Sequence, residues 1–341
     1  MFDPSPETRL RFLKFKNNRR AFYSLILFAI LFLVSLSADF IANDKPLVVR
    51  YDGHWYFPVL KNHPETTFGG TFETPTDFTD AFIRKKINEN GFMLMPPVPF
   101  SYDTINYHLP TPAPSAPSRK NWLGTDDMGR DILARLLYGM RFSLCFGILL
   151  TLFSSAIGLT AGAVQGYFGG KIDLFAQRFL EIWGSLPQLF ILILLSGLIM
   201  PNFWSLLAIL TLFSWTALVP VVRAEFLKVR KADFITAARA LGVPDHKIIF
   251  RHVLPNATVA ALTYLPFILS GAVVSLTALD FLGFGLPPGT PSMGELVRQG
   301  KENLQAPWIA ATAFLSLAFL LVVLVFVGEG VRDAFDTRKR P

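Results

Sequence analysis

Five histidines and 25 acidic residues are the material for acid–base or metal chemistry in this 341-residue chain. His54, His63 and His108 share one stretch with Asp52, Glu65 and Asp103, a set that would suit metal-assisted hydrolysis if three of them met one ion. No ligand spacing or nucleophile motif organises them, so they read as isolated histidines on a solvated surface. His246 and His252 read as loop residues for the same reason. The one cysteine, Cys145, has apolar neighbours, which excludes an intramolecular disulfide and leaves a small packed side chain. A Gly-x-x-x-x-Gly-Lys-Ser/Thr phosphate loop is absent, so neither ATP hydrolysis nor a bound cofactor is expected of this chain.

The strongest local signal is a recognition element. Residues 232–255 read ADFITAARALGVPDHKIIFRHVLP. Asp233 is placed to cap a short helix running through residue 241, Gly242 to end it in the left-handed conformation, and Pro244 to open a second short helix. Small Ala237, Ala238 and Ala240 make the first helix slim enough to enter a groove. Arg230, Lys231 and Arg239 are placed to meet carboxylates of a partner.

The elements that must hold this segment are membrane-spanning. Charged residues make up only 17% of the chain and hydrophobic ones 52%, with 33 Phe, a composition unlike that of a soluble domain. Six runs of 18 or more residues lack Asp, Glu, Lys, Arg and His: 21–38, 142–164, 182–200, 203–222, 257–279 and 308–328. Each is long enough to cross hydrocarbon as a helix. The first run exceeds a signal-peptide core, and losing it would put the chain ends on opposite sides. Lys and Arg number 19 on one set of short loops and tails and two on the other. That bias puts both termini in the cytoplasm and spreads the basic excess over a membrane face, which removes a nucleic-acid partner and leaves lipid.

The division expected is a cytoplasmic tail 1–20, a first crossing 21–40, an external segment 41–141, five further helices over 142–328 enclosing the cytoplasmic loop 223–256, and a tail 329–341. The external segment holds 11 of the 24 prolines and 14 aromatics, so a small irregular lobe with an aromatic core is expected. Within it, 47–51 reads as a strand, 77–87 as a helical patch, and 131–140 as an amphipathic helix at the external interface that leads into the second crossing. Inside the crossings no ionisable group sits at midplane, which disfavours an ion-coupled carrier. Asp39, Glu181 and Asp280 fall at the ends, within reach of water. Gly158, Gly162 and Gly166 form a ridge for close helix approach, and Pro187 and Pro266 should kink their helices.

The spacing Ala237-Ala238-x-x-x-Gly242, then nine residues and His252-x-Leu254-Pro255, resembles the EAA loop of bacterial ABC-importer permeases. Thr236 departs from it, standing where that family usually has Glu. With Asp233 as cap, the change should weaken a capping box and remove a charge. Trp122 through Asp131, Phe281 through Pro288, and Pro291 through Gly294 resemble segments of the dipeptide, oligopeptide and nickel permeases. The long 41–118 stretch is similar to the microcin C type. The resemblance implies an all-α, six-helix permease of a bacterial inner membrane that carries peptides or peptide-like substrates. Its implied partners are a second, different permease chain, ATP-binding cassette subunits that bind ATP, and an external substrate-binding protein. It also implies that Thr236, Ala237, Ala238, Arg239, Gly242, His252, Leu254 and Pro255 couple the chain to the ATPase. A secondary carrier and a membrane enzyme with an external catalytic lobe are the rival readings. The purified chain alone is expected to show no ATP hydrolysis in a phosphate-release assay; measurable turnover would overturn this division of labour.

Overall fold

A computed structural model describes residues 6–199 and 201–335. Met200, where the third expected crossing ends, and the outer parts of both tails, 1–5 and 336–341, lie outside the described residues. The chain divides into two compact units, one comprising 1–29, 144–287 and 318–341, the other 30–143 and 288–317.

The helices in chain order begin with α1 (Pro6–Asn17), α2 (Arg19–Leu36) and α3 (Ala38–Ile41). A small sheet follows, β1 (Val48–Tyr51), β2 (His54–Tyr56) and, after α4 (Ala81–Asn90), β3 (Gly91–Leu94), in the antiparallel order β2-β1-β3. Then come α5 (Ile132–Phe168), α6 (Gly170–Ser185), α7 (Gln188–Leu198), α8 (Phe203–Ser214), α9 (Val219–Val229), α10 (Asp233–Ala240) and α11 (Asp245–Lys247). The series ends with α12 (Leu254–Leu262), α13 (Leu265–Phe281), α14 (Met293–Glu302) and α15 (Pro307–Phe335).

Among the described residues four helices are long and apolar enough to cross a membrane: α2, α5, the continuous Phe203–Val229 stretch and α15. The α6 and α7 pair makes a fifth, bent by 69° at the break before Gln188, where Pro187 cannot donate to the preceding turn. The fifth expected crossing, 257–279, is divided at Thr263 and Tyr264 into α12 and α13. Pro266 sits in the first turn of α13 and leaves the Leu262 carbonyl without its i+4 donor, so the helix restarts there.

In the second unit the expected lobe has more order than its prolines suggest. Asp52 and Gly53 take φ of +47° and +80°, the conformation of a two-residue hairpin turn, and set Tyr51 opposite His54. Val49, Tyr51, Phe68, Phe78, Ile83 and Ile87 form its core. Phe68 meets Tyr51, Tyr56 and Phe78 edge to face at 5.7, 5.3 and 5.5 Å between ring centroids. Asp80 caps α4 by accepting from the Phe82 amide at 2.7 Å.

The 131–140 stretch leads into the second crossing as expected, but it is packed and not laid on a surface. It is the start of α5, which runs unbroken for 37 residues, and Ile132, Ala134, Tyr138 and Met140 are buried. Asp131 caps it, accepting from the Ala134 amide at 2.8 Å and from Asn121 Nδ2 at 2.8 Å. Burial pushes the Asp131 carboxyl above the usual carboxylate range, against the pull of these hydrogen bonds. Asp126 lies between two guanidinium groups, 2.7 Å from Arg130 Nε and 3.5 Å from Arg135 Nε, all three side chains buried. The Trp122-to-Asp131 motif is therefore a buried ionic knot that starts α5.

In the first unit the glycine ridge of α5 meets the α8–α9 stretch. A Cβ on Gly158 would sit 2.5 Å from the Trp215 carbonyl, on Gly162 2.8 Å from the Val219 carbonyl, and on Gly166 2.4 Å from Phe226 Cβ. Asp280 differs from its expected exposure. It is buried, and its Oδ1 accepts from the Leu286 amide at 2.7 Å, so the Phe281-to-Pro287 turn folds back over it. Gly166→Ala is expected to cost ~1–3 kcal/mol through overpacking and to lower the unfolding temperature of the detergent-solubilised chain. Gly184→Ala, whose added methyl meets nothing within 4 Å, should leave that temperature unchanged.

Candidate coupling site

Helix α10 is short and two-faced. Ile235 is fully buried and joins Ile248, Val253, Val222, Phe226, Tyr167 and Ala163 in one core cluster, with Ala238 and Leu254 packed half-buried against it. Thr236, Ala237, Arg239, Gly242 and Pro255 are exposed. The backbone of His252 lies in a π-helical stretch, Ile248–Val253; its side chain falls outside the description. The residues implied as a coupling set thus divide into a seated face and an open one.

The local chain geometry corrects three expectations. The cap of α10 is Ala232, without a side-chain hydrogen bond, and Asp233 is the first helical residue, where its charge still favours the helix dipole. Thr236 is then the fourth helical position, so no capping box is lost there; its hydroxyl approaches the Ala232 carbonyl at 3.4 Å. The second helix is not short. From Asp245 the chain stays helical through α11, the π stretch and α12 to Leu262. Gly242 does take the left-handed conformation, φ +74°, the backbone that a residue with a Cβ adopts at a cost.

Two of the three basic residues also contact their own chain. Arg239 lies over the Tyr167 ring, 4.9 Å from its centroid. Arg230 Nη1 donates to the Tyr167 carbonyl at 3.4 Å. Lys231 remains exposed. The open surface also carries apolar side chains: Phe234 is 50% exposed, Leu241 83% and Phe250 66%. These three large apolar side chains lie uncovered on one loop. Phe234 and Leu241 are seven residues apart, a spacing that places them on one helix face; composition alone does not distinguish that face from a buried one. Tyr167 and Asp245 were also missed, because their meeting is a long-range contact.

The histidines of the lobe go separate ways. His54 Nδ1 faces the Asp52 carbonyl at 3.1 Å. His63 packs edge-on against Tyr56 at 5.1 Å between centroids, and burial, then Lys61, hold its imidazole below the usual histidine range. The His108 amide donates to Asn106 Oδ1. Among the described residues no group of three His, Cys, Asp or Glu is placed to hold a metal ion.

Residues 154–341 match the family model described as binding-protein-dependent transport system inner membrane component. Over 335 residues, 98% of each chain, the sequence is 57% identical to the inner membrane ABC transporter permease protein YejE of Escherichia coli (strain K12). It is 51% identical over 359 residues, 98% of this chain and 94% of the other, to the peptidoglycan transport system permease protein YejE of Agrobacterium fabrum (strain C58 / ATCC 33970). A chain of the MetNI methionine ABC transporter in an inward-facing crystal form shares the fold. It is 20% identical, with a TM-score of 0.50 over 60% of this chain and 97% of that one.

Ile235→Ala is expected to remove ~2–4 kcal/mol from the seat of α10 and to speed tryptic cleavage at Lys231 and Arg239 in the solubilised protein. Phe234→Ala, on the open face, should leave the cleavage rate unchanged. Equal cleavage of both variants would sink the two-faced description.

Proposed function

The chain is a member of the binding-protein-dependent transport system inner membrane component family, the permeases of ABC importers, and from that premise we propose that it forms half of a translocation pathway for peptides or peptide-like substrates. A second permease of different sequence forms the other half, and a binding protein delivers substrate from outside. ATP is bound and hydrolysed by separate cassette subunits. Both termini, and with them the 232–255 loop, face the cytoplasm of a bacterial cell.

The peptide class is supported by the likeness of the 122–131 and 281–294 segments to peptide permeases. It is also supported by a half-identical relative described as a peptidoglycan transport permease, since peptidoglycan is a peptide-bearing polymer. The coupling role is carried by one observation: α10 and its C-cap present Phe234 and Leu241 to open space while Ile235 seats the helix on the ends of α5 and α9. A surface that is apolar outside and anchored inside receives a push and passes it on. Closure of the ATPase subunits on ATP moves the loop as a lever and switches the helices between two arrangements.

Thr236, Ala237, Ala238, Arg239, Gly242, His252, Leu254 and Pro255 are the residues proposed to meet or shape that contact. Gly242 has open space around it, so a larger residue there meets no neighbour of its own chain, although the left-handed backbone carries a cost. Gly242→Asp and Ala238→Asp are expected to abolish uptake of a labelled tripeptide by cells carrying the complete importer, with membrane insertion unchanged. Normal uptake by both variants would refute the coupling assignment.

A further inference from the structure

Tyr167 lies outside the loop, in the last turn of α5, and belongs to none of the motifs that place the chain in its family. Its side chain is 3% exposed. Three separated points of the loop converge on it. Arg230, ahead of α10, donates from Nη1 to its carbonyl oxygen at 3.4 Å. Arg239, in the last turn of α10, holds its guanidinium 4.9 Å from the ring centroid. Asp245, beyond the Gly242 turn, accepts a hydrogen bond from its hydroxyl. The backbone makes room for this. Gly169 takes φ +61°, and a Cβ there would stand 2.0 Å from Arg230 Nη1.

We propose that Tyr167 is a positioning residue of the transport cycle, tying α10 directly to α5, so that displacement of the loop by the ATPase moves the end of α5 as well as α9 and α12. This rests on the coupling reading of the loop given above. The chain continues from the loop only into α9 and α12; α5 is reached by apolar packing, through the Ile235 cluster and Gly166, and the Tyr167 contacts add the directional polar link to it. The three contacts act differently. The hydroxyl-to-carboxylate hydrogen bond is short-ranged and directional. A guanidinium over a ring face tolerates sliding. Arg230, at the carbonyl end of α5, is a cation where the helix dipole favours one. The hydrogen bond fixes the separation of Tyr167 from the turn after α10, and the stacked Arg239 lets α10 rotate without letting go.

The test uses the complete importer in lipid nanodiscs, with both permeases, the ATPase subunits and the binding protein. Hydrogen exchange is followed over 163–169 and over 232–255, nucleotide-free and trapped with ATP and vanadate. In the unaltered protein both segments should change on trapping. Tyr167→Leu should keep the loop response and lose that of 163–169. Tyr167→Phe retains the ring and Arg239 but not the hydrogen bond. It should weaken the 163–169 response by about tenfold, the scale of one hydrogen bond to a charged group. Asp245→Asn, in the chain with Tyr167 intact, still accepts that bond as a neutral group and should retain part of the response. The ATPase subunits should co-purify with every variant. An undiminished 163–169 response in Tyr167→Leu would overturn the proposal, and so would loss of the ATPase from that variant, which would make Tyr167 a scaffold only. If the loop itself fails to respond in the unaltered importer, the coupling reading falls too. If the loop responds and 163–169 does not, only the role of Tyr167 falls.

Discussion

Close approach of α5 to the α8–α9 stretch is the constraint on which the rest of the first unit depends. In lipid, helices gain nothing by hiding apolar surface from a solvent that is itself apolar, so association rests on contact between backbones and small side chains. Gly158, Gly162 and Gly166 supply that contact turn after turn, each facing a backbone or Cβ atom at a distance that admits no side chain. The contact brings the end of α9 beside the end of α5. It also sets Phe226, Val222 and Tyr167 in the cluster that receives Ile235.

From that seat follows the character of the loop. A helix of eight residues has little stability of its own, and α10 exists because Ile235 is buried at its centre and Gly242 turns the chain sharply at its end. With one face spent on the seat, the other is free to carry Phe234 and Leu241 outward. Arg230 and Arg239 also brace the seat through Tyr167, Arg239 while remaining exposed.

In the second unit the organising feature is ionic and buried. Asp126 between Arg130 and Arg135, with Asp131 capping α5, makes a rigid start for the longest helix. A buried ion arrangement of this kind adds little net stability but is costly to break by removing one member. Its contribution is to define one geometry. The aromatic core around Phe68 does the same for the small sheet, with edge-to-face rings instead of charge.

Much of this was legible in residue types because the physics is local or periodic. Uncharged runs announce helices in hydrocarbon, Pro187 announces a break, a glycine ridge announces a neighbour, and Gly242 announces a left-handed turn. The misreadings have a common cause. Nothing in 131–140 signals that the start of this helix is buried, and nothing in the residues around Asp280 signals that its own following turn covers it. Nor do Ala232 and Asp233 announce which of them caps α10, since the choice follows from where Ile235 must point. The sequence by itself determined the membrane class, the uncharged runs that become apolar helices and a candidate coupling loop between two of them, because these follow from charge, hydropathy and spacing along the chain. Only the tertiary structure decided which face of that loop is open and that Tyr167 holds it, because those outcomes depend on side chains more than sixty residues apart meeting at one packed point.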